Sequence, residues 1–279
     1  MQTFKNRGES MEIPQKSMPK KVIGFNHLLI SYIARNVMEF LRHFSSVFAN
    51  CEIYLVLDIN NDRLLEFVLL NVWLLLKDSI QRLILWSNEL RCLQRFGNST
   101  ILSDCPSLRF VFSNDDIFPE FSSDESTNVT DGQAMAKWLF SPRPDGVPKV
   151  LKCRIYFDEE KWSSKINGLM AAFYTASSRA NFIVVICKSS NYDFVVPFDL
   201  TNELTGERLT LKNANNNNKH FLLIRCPISQ DENQWTNWEK EAIELKLLGK
   251  CNTIDIAINE EEIGDGLIDG TSDPSDQRK

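Results

Sequence analysis

The stretch Ile80-Gln-Arg-Leu83-Ile-Leu85-Trp-Ser-Asn88-Glu-Leu90 decides the fold of this 279-residue chain. It fits the leucine-rich-repeat pattern L-x-x-L-x-L-x-x-N-x-L at every position, with an isoleucine in place of the first leucine. In this pattern a short strand is followed by a helix, and stacked repeats align their strands in one sheet. The stretch therefore predicts a strand at its start and a helix after it.

The same spacing recurs on both sides of this stretch. Looser copies begin at Phe25, Cys51, Cys105, Val150, Phe182 and Cys251. The first four copies, including the one at Ile80, start roughly 25 to 29 residues apart, which is the period of this repeat class. The later copies are unevenly spaced, so the repeat is regular only in the first part of the chain.

Helical patterns separate the strands of this run. Residues 35–48, 64–76 and 89–102 each carry apolar side chains at helical spacing. Strands alternating with helices predict parallel strands joined by right-handed crossovers. We therefore expect an α/β fold, an irregular leucine-rich-repeat-like run of strand–helix units with a largely parallel sheet. A compact three-layer α/β sheet is the alternative, because the same alternation produces it.

The C-terminal third departs from the repeat. Residues 194–200, 207–212 and 220–228 predict antiparallel strands, and 231–247 predict a helix with Trp235, Trp238, Ala242 and Leu245 on one stripe. We expect a single domain over 21–258, with a loop at 118–131 and this insertion at 192–248. Flexible tails are expected at 1–20 and, acidic in character, at 259–279.

Composition and charge narrow the functional classes. A net charge of −6 and a pI near 5.3 argue against nucleic-acid binding. The polar N-terminal segment has no apolar core typical of a signal peptide, and the apolar run at 67–76 is too short to span a bilayer. The seven cysteines are scattered, as in proteins with reduced thiols. We expect a cytoplasmic or nuclear protein that does not bind membranes.

No pattern in the chain indicates catalysis. The three histidines, His27, His43 and His220, are far apart, and no nucleophile-elbow, phosphate-loop, dinucleotide or zinc-protease motif occurs. Clustered cysteines or histidines at metal-ligand spacing are also missing. The sequence therefore predicts no catalytic, cofactor-binding or metal-binding residues and favours a non-enzyme. A small α/β enzyme is the weaker alternative.

Strand alternation predicts a candidate partner-binding surface. If Leu83 and Leu85 face the helices, the residues between them and on neighbouring strands face the other way. The candidate residues are Arg82, Trp86, Arg109, Lys152, Arg154, Tyr156 and Lys188. Arginine with tryptophan and tyrosine is typical of protein interfaces and of acidic or phosphorylated segments bound by arginine. On the first two strands the same face is predicted to present Leu29, Ile53, Leu55 and Leu57.

From about residue 14 to its end, the chain resembles a large family of F-box proteins from cyst nematodes. The strongest matching stretches are Gly132-Gln-Ala134, Ala136-Lys-Trp-Leu139, Pro142-Arg143, Asp145-Gly146, Pro148-Lys-Val-Leu151, Leu204-Thr-Gly-Glu-Arg-Leu209, Leu223-Ile-Arg-Cys-Pro-Ile228 and Ile263-Gly-Asp-Gly-Leu267. They follow the family's order at similar spacing.

The resemblance implies the C-terminal region of such proteins, which recognises substrates for a cullin-RING ubiquitin ligase. Only a short polar segment precedes the matched region, so we expect the adaptor-binding F-box to be absent. The expected function is non-catalytic binding of a substrate protein through an acidic or phosphorylated segment. A decoy or structural protein without ligase function is the alternative.

Overall fold

The computed structural model describes residues 24–59, 61–97, 101–113, 115, 117–121, 131–156, 158–187, 194–214, 220–244 and 252–258. The predicted tails at 1–20 and 259–279 and most of the predicted loop at 118–131 lie outside these residues. Lys188, the last of the candidate partner-binding residues, also lies outside them.

Strands and helices alternate through the first two thirds of the chain. The strands are β1 (His27–Ile30), β2 (Ile53–Ile59), β3 (Ile80–Ile84), β4 (Phe110–Phe112), β5 (Lys149–Arg154), β6 (Phe182–Cys187), β7 (Phe198–Asn202), β8 (Glu207–Asn213), β9 (His220–Pro227) and β10 (Thr253–Ile258). The helices are α1 (Arg35–Phe48), α2 (Asp62–Val68), which continues through a π-helical turn (Leu69–Trp73) into α3 (Leu74–Leu76), α4 (Ser87–Gly97), α5 (Asp131–Phe140), α6 (Glu159–Thr175) and α7 (Glu232–Ile243).

The described strands form one ten-stranded sheet in the order β1-β10-β2-β3-β4-β5-β6-β9-β8-β7. From β1 to β6 in this order adjacent strands are parallel, and from β6 through β9 and β8 to β7 adjacent strands are antiparallel. The predicted α/β fold, with its largely parallel sheet and antiparallel C-terminal part, is confirmed. One detail differs from a regular repeat, because β10 pairs between β1 and β2 instead of following β9.

The two faces of the sheet are covered unequally. Helices α1 to α6 pack on one face, around residues such as Leu55, Leu83 and Val184. Helix α7 packs on the opposite face, around Phe110 and Ile183. We call that opposite face the α7 face.

Burial along the strands follows this unequal cover. The central strand β6 (Phe-Ile-Val-Val-Ile-Cys) is buried on both faces over its first five residues. In β10, near one edge, buried isoleucines alternate with half-buried Thr253, Asp255 and Ala257. A strand buried on both sides becomes continuously apolar, whereas a strand with one uncovered side alternates. The α7 face is therefore closed in the middle of the sheet and uncovered by the described residues near β10.

Two helices begin directly after an aspartate whose side chain caps the helix. Asp158 accepts a hydrogen bond from the Lys161 backbone N–H at 2.9 Å before α6, and Asp231 accepts one from Asn233 at 2.9 Å before α7. Such caps satisfy backbone donors that a helix leaves unpaired. The predicted helix at 35–48 is confirmed as α1, and no element is predicted for 158–175, where the structure has α6.

A buried ion pair ties the antiparallel strands to the rest of the sheet. Glu207 of β8 accepts hydrogen bonds from Arg225 of β9 at 2.6 and 3.2 Å, and both side chains are fully buried. The other carboxylate oxygen of Glu207 accepts from the Ala180 N–H at 2.8 Å, and Arg225 donates to the Ser178 carbonyl at 2.9 Å. These bonds connect β8 and β9 to the segment between α6 and β6.

Candidate protein-binding face

The parallel register aligns side chains across the α7 face. Each strand from β2 to β6 contributes one residue to a row of paired neighbours. The row runs from Tyr54 through Arg82, Phe110 and Val150 to Ile183. Residues paired in this way point to the same side of a sheet, so they form one continuous row. The row is apolar towards β6 and carries a cation between two aromatic rings towards β2.

Helix α7 covers the apolar part of this face. Trp235 and Ala242 are buried there, and Trp238 and Ile243 pack against the same cluster. The rings of Trp235 and Trp238 meet edge to face, with their centroids 5.2 Å apart. The described part of the predicted stripe therefore packs on the sheet, and tryptophan burial supplies much of the contact energy.

Arg82 lies between two rings of the row. Its guanidinium carbon is 4.5 Å from the centroid of Tyr54 and 4.4 Å from that of Phe110. Only 8% of the residue is exposed, and its Nε has no hydrogen-bond partner among the described residues. Planar stacking on aromatic rings suits arginine, since the guanidinium is weakly hydrated.

Arg109 joins the sheet to α7 through a carboxylate. Its two terminal nitrogens donate to the two carboxylate oxygens of Glu241 at 2.8 and 3.3 Å. Glu241 also lies 3.9 Å from a terminal nitrogen of Arg82. Burial lowers the pKa of Arg109, and the charge of Glu241 opposes that shift. One carboxylate of α7 is thus shared by two arginines of the sheet.

Two lysines complete the cationic contacts to α7. Lys152 donates to the carbonyl of Ile243 at 3.1 Å, at the C-terminal end of the helix. Lys212 of β8 forms an ion pair with Glu239 at 2.8 Å. A cation at a helix C-terminus is favourable because the helix dipole is negative there. Basic groups of the sheet therefore meet acidic or electronegative groups of α7.

Arg82, Arg109 and Lys152, predicted to face away from helices α1 to α6, lie against α7. All three lie in contact with α7, and they contact its carboxylate or its terminal carbonyl instead of facing solvent. The sequence pattern identified these cations and, separately, the apolar stripe of α7, but not that the two lie together. Glu241, which no motif marks, joins them.

The remaining described candidates lie around the margin of this contact. Arg154 is exposed at the end of β5, and Tyr156 just beyond it is 56% exposed. Trp86, which follows β3, is half-buried. The register pairs Arg154 with Cys187 of β6, two residues beyond the pair that contains Lys152. A basic and aromatic margin, which the described residues leave uncovered, therefore adjoins the C-terminal end of α7.

The predicted apolar end of this face is wrong for three of its four residues. Ile53, Leu55 and Leu57 belong to the core under helices α1 to α6, and only Leu29 stays on the α7 face, 57% exposed. Tyr54 of β2 takes the predicted place beside Arg82. The repeat template placed β2 one residue out of register, and a one-residue shift exchanges the two faces of a strand.

Charged groups buried under helices α1 to α6 have structural partners. The carboxylate of Glu89 accepts from the backbone N–H of Ile59 at 3.2 Å and from that of Trp86 at 3.0 Å, and burial raises its pKa. Lys149 donates to the Trp138 carbonyl at 2.6 Å and to the Ser141 hydroxyl at 2.8 Å, and burial lowers its pKa to about 8. Glu89 joins the end of β2 to the start of α4, and Lys149 binds the end of α5.

The histidines and two of the buried cysteines lie apart in the described part of the fold. His27, His43 and His220 lie on β1, α1 and β9. Burial raises the pKa of the thiols of Cys92 and Cys105 to about 12, so they stay protonated. Within the same residues, no group of three or more histidine, cysteine, aspartate or glutamate side chains is arranged to hold a metal ion.

Comparisons with known proteins find no matching family model, no matching curated protein and no matching solved structure. In the part of the chain that the structure describes, no helix is long and apolar enough to cross a lipid bilayer. The functional argument therefore rests on the geometry of the α7 face.

Proposed function

We propose that this chain is a non-catalytic protein-binding module that binds an acidic or phosphorylated segment of another protein at the α7 face and its margin. The observation that carries the proposal is the bidentate bond between Arg109 and Glu241, beside an Arg82 stacked between two rings. Here the sheet binds a carboxylate in the way that arginines bind acidic ligands at interfaces.

The exposed margin supplies the accessible part of the surface. Arg154 and Tyr156 are exposed next to Lys152, and Trp86 is half-buried across the sheet. Arginine, tyrosine and tryptophan are the residues that contribute most to binding energy at protein interfaces. We assign first contact with a partner to this margin.

The resemblance to F-box proteins suggests that the bound partner is a substrate of a ubiquitin ligase. A substrate receptor of a cullin-RING ubiquitin ligase needs a rigid frame and an exposed recognition surface, without catalytic groups of its own. We propose the cytoplasm or nucleus as the location of this activity, because the scattered cysteines are typical of proteins with reduced thiols.

Photo-crosslinking tests the margin directly. A photoreactive amino acid replaces Tyr156 in one protein and Tyr174 in a control, because the two tyrosines are 56% and 53% exposed and Tyr174 lies on α6. We expect protein adducts at position 156, carrying acidic or phosphorylated segments at the crosslinked site, and few at position 174. Arg154→Glu should remove the adducts at 156.

The crosslinking result can contradict the proposal in two ways. Equal adducts at the two positions would show that the margin has no special affinity. Adducts at 156 that survive Arg154→Glu and carry no acidic segment would exclude the proposed partner chemistry.

A further inference from the structure

Helix α7 contacts the sheet as a separate peptide helix contacts a binding groove. Its apolar side carries Trp235 and Ala242 into the centre of the face, and Glu239 and Glu241 reach cations of the sheet. Helix-in-groove recognition uses this arrangement, with apolar anchors at helical spacing and charged pairs at the rim. The chain itself therefore shows which kind of ligand the face accepts.

Arg82 and Arg109 could together form more hydrogen bonds with carboxylates than they form with α7. Arg109 forms two hydrogen bonds with Glu241, whereas Arg82 approaches the same carboxylate only to 3.9 Å. The Nε of Arg82 is buried and has no hydrogen-bond partner in the described part of the chain. A buried, unsatisfied donor of a charged group is costly, so a second carboxylate at this point would be favourable.

The contacts that hold α7 are also partly open to water. The Glu241 side chain is 38% exposed, and Lys212, the partner of Glu239, is 44% exposed. Ion pairs with this exposure contribute little net stability, typically about 0–1 kcal/mol. Burial of Trp235 and Trp238 is the main attraction, and a partner helix with similar anchors can replace it.

We propose that α7 is an internal occupant of a site for an acidic amphipathic helix of the partner protein, and that the partner helix displaces α7. The incoming helix places aromatic or apolar anchors where Trp235 and Trp238 lie, and it offers carboxylates to both Arg82 and Arg109. This inference rests on the proposed function and adds the partner's chemistry and a means of regulation. Binding is weak while α7 is in place and strong once it leaves.

A peptide copy of α7 serves as the probe. A fluorescein-labelled peptide of residues 231–244 is titrated with the full chain, and binding is followed by fluorescence anisotropy. The chain is used as wild type, as Glu241→Gln, and as the matched control Glu232→Gln, since Glu232 is exposed in the first turn of α7 and forms no ion pair in the described residues. Unfolding midpoints of the three proteins show whether each is folded.

We expect Glu241→Gln to bind the peptide more tightly than wild type, by up to about fivefold, because its own helix competes less well for the site. Glu232→Gln should bind as wild type does. Adding Arg109→Gln to the Glu241→Gln protein should remove this gain in affinity, and a peptide carrying Glu241→Lys should bind more weakly than the unchanged peptide. Equal affinity of wild type and Glu241→Gln, or a gain in affinity that survives Arg109→Gln, would overturn the proposal.

Hydrogen exchange in the wild-type chain gives a test without substitutions. Saturating peptide should increase exchange of the α7 amides of the chain and leave those of β6 unchanged, and unchanged α7 exchange would contradict displacement. The peptide assays need only this chain, so they can fail while crosslinking at Tyr156 succeeds. That combination would mean that the partner binds at the margin without replacing α7.

Discussion

Two arginine–glutamate contacts lie on opposite faces of the sheet and differ in their surroundings. Arg225 and Glu207, under helices α1 to α6, are completely buried and have further bonds to backbone groups. Arg109 and Glu241, on the α7 face, have side chains 13% and 38% exposed. The first pair can open only if strands separate, whereas water already reaches the second. The same chemistry thus fixes the fold in one place and forms an exchangeable contact in the other.

Arg225→Met breaks the buried half of the comparison and has the largest expected effect. It leaves the carboxylate of Glu207 without its cation in the core, and loss of one partner of a buried pair costs about 3–5 kcal/mol. Denaturant unfolding should show this loss in the free energy of unfolding. The double variant Arg225→Met/Glu207→Gln should recover part of it, because no unpaired charge remains. A loss below about 1 kcal/mol would remove the distinction between the two faces.

Glu89→Ala tests whether a lone buried carboxylate on the helix side is also structural. The change leaves the N–H groups of Ile59 and Trp86 without acceptors, which we expect to cost about 2–3 kcal/mol. The control is Glu160→Ala, in the exposed first turn of α6, which should change the free energy of unfolding by less than about 0.5 kcal/mol. Similar losses in the two variants would show that the bonds of Glu89 contribute nothing specific.

Lys149, buried under helices α1 to α6, makes the free energy of unfolding depend on pH. Its pKa is lowered from 10.5 to about 8, so between these pH values the unfolded chain binds more protons than the folded chain. Stability due to this residue therefore rises with pH across that window. Relative to Lys149→Met, the wild type should gain about 2 kcal/mol between pH 7.5 and 10. Because the thiols titrate equally in the two proteins, a pH-independent difference between them would contradict the shifted pKa.

Glu241→Gln tests the exchangeable half and has the smallest expected effect on stability. We expect the free energy of unfolding to fall by no more than about 1 kcal/mol, since the pair with Arg109 is partly exposed. Chemical denaturation at low and high salt measures this change, and the loss should shrink at high salt. A loss as large as that of Arg225→Met would place both pairs in the same structural class.

The sequence predicts the order of strands and helices better than it predicts the face of the sheet on which each side chain lies. The spacing from Ile80 to Leu90 locates β3 and the start of α4, and the alternation of strands and helices predicts the parallel sheet. The prediction of which side chains face the helices fails at β4. The repeat pattern puts Leu108 and Phe110 on the same side of the sheet. In the structure Leu108 lies under the helices and Phe110 lies on the α7 face. Because β4 is buried on both faces, its apolar residues do not alternate with polar ones, and the sequence carries no signal for facing.

The contacts of the candidate site could not be predicted from the sequence, for a different reason. Arg109 and Glu241 are separated by 132 residues, and their pairing depends on the path of α7 across the sheet. Helix α6, for which no element is predicted above, shows the opposite case, because Asp158 at its start and the spacing of Trp162, Ile166, Leu169 and Phe173 are local helix signals sufficient to find it. Local patterns therefore suffice for elements, whereas a site built between distant elements needs the topology.

Native-state hydrogen exchange tests most directly whether α7 is an exchangeable element on a fixed sheet. We predict that the α7 amides exchange through a local opening whose free energy is well below that of β6 and β9, and that Glu241→Gln lowers it for α7 alone. If α7 instead exchanges with the same opening free energy as β6, and Glu241→Gln lowers both together, then α7 is part of the cooperative core and the α7 face is not a displaceable binding site.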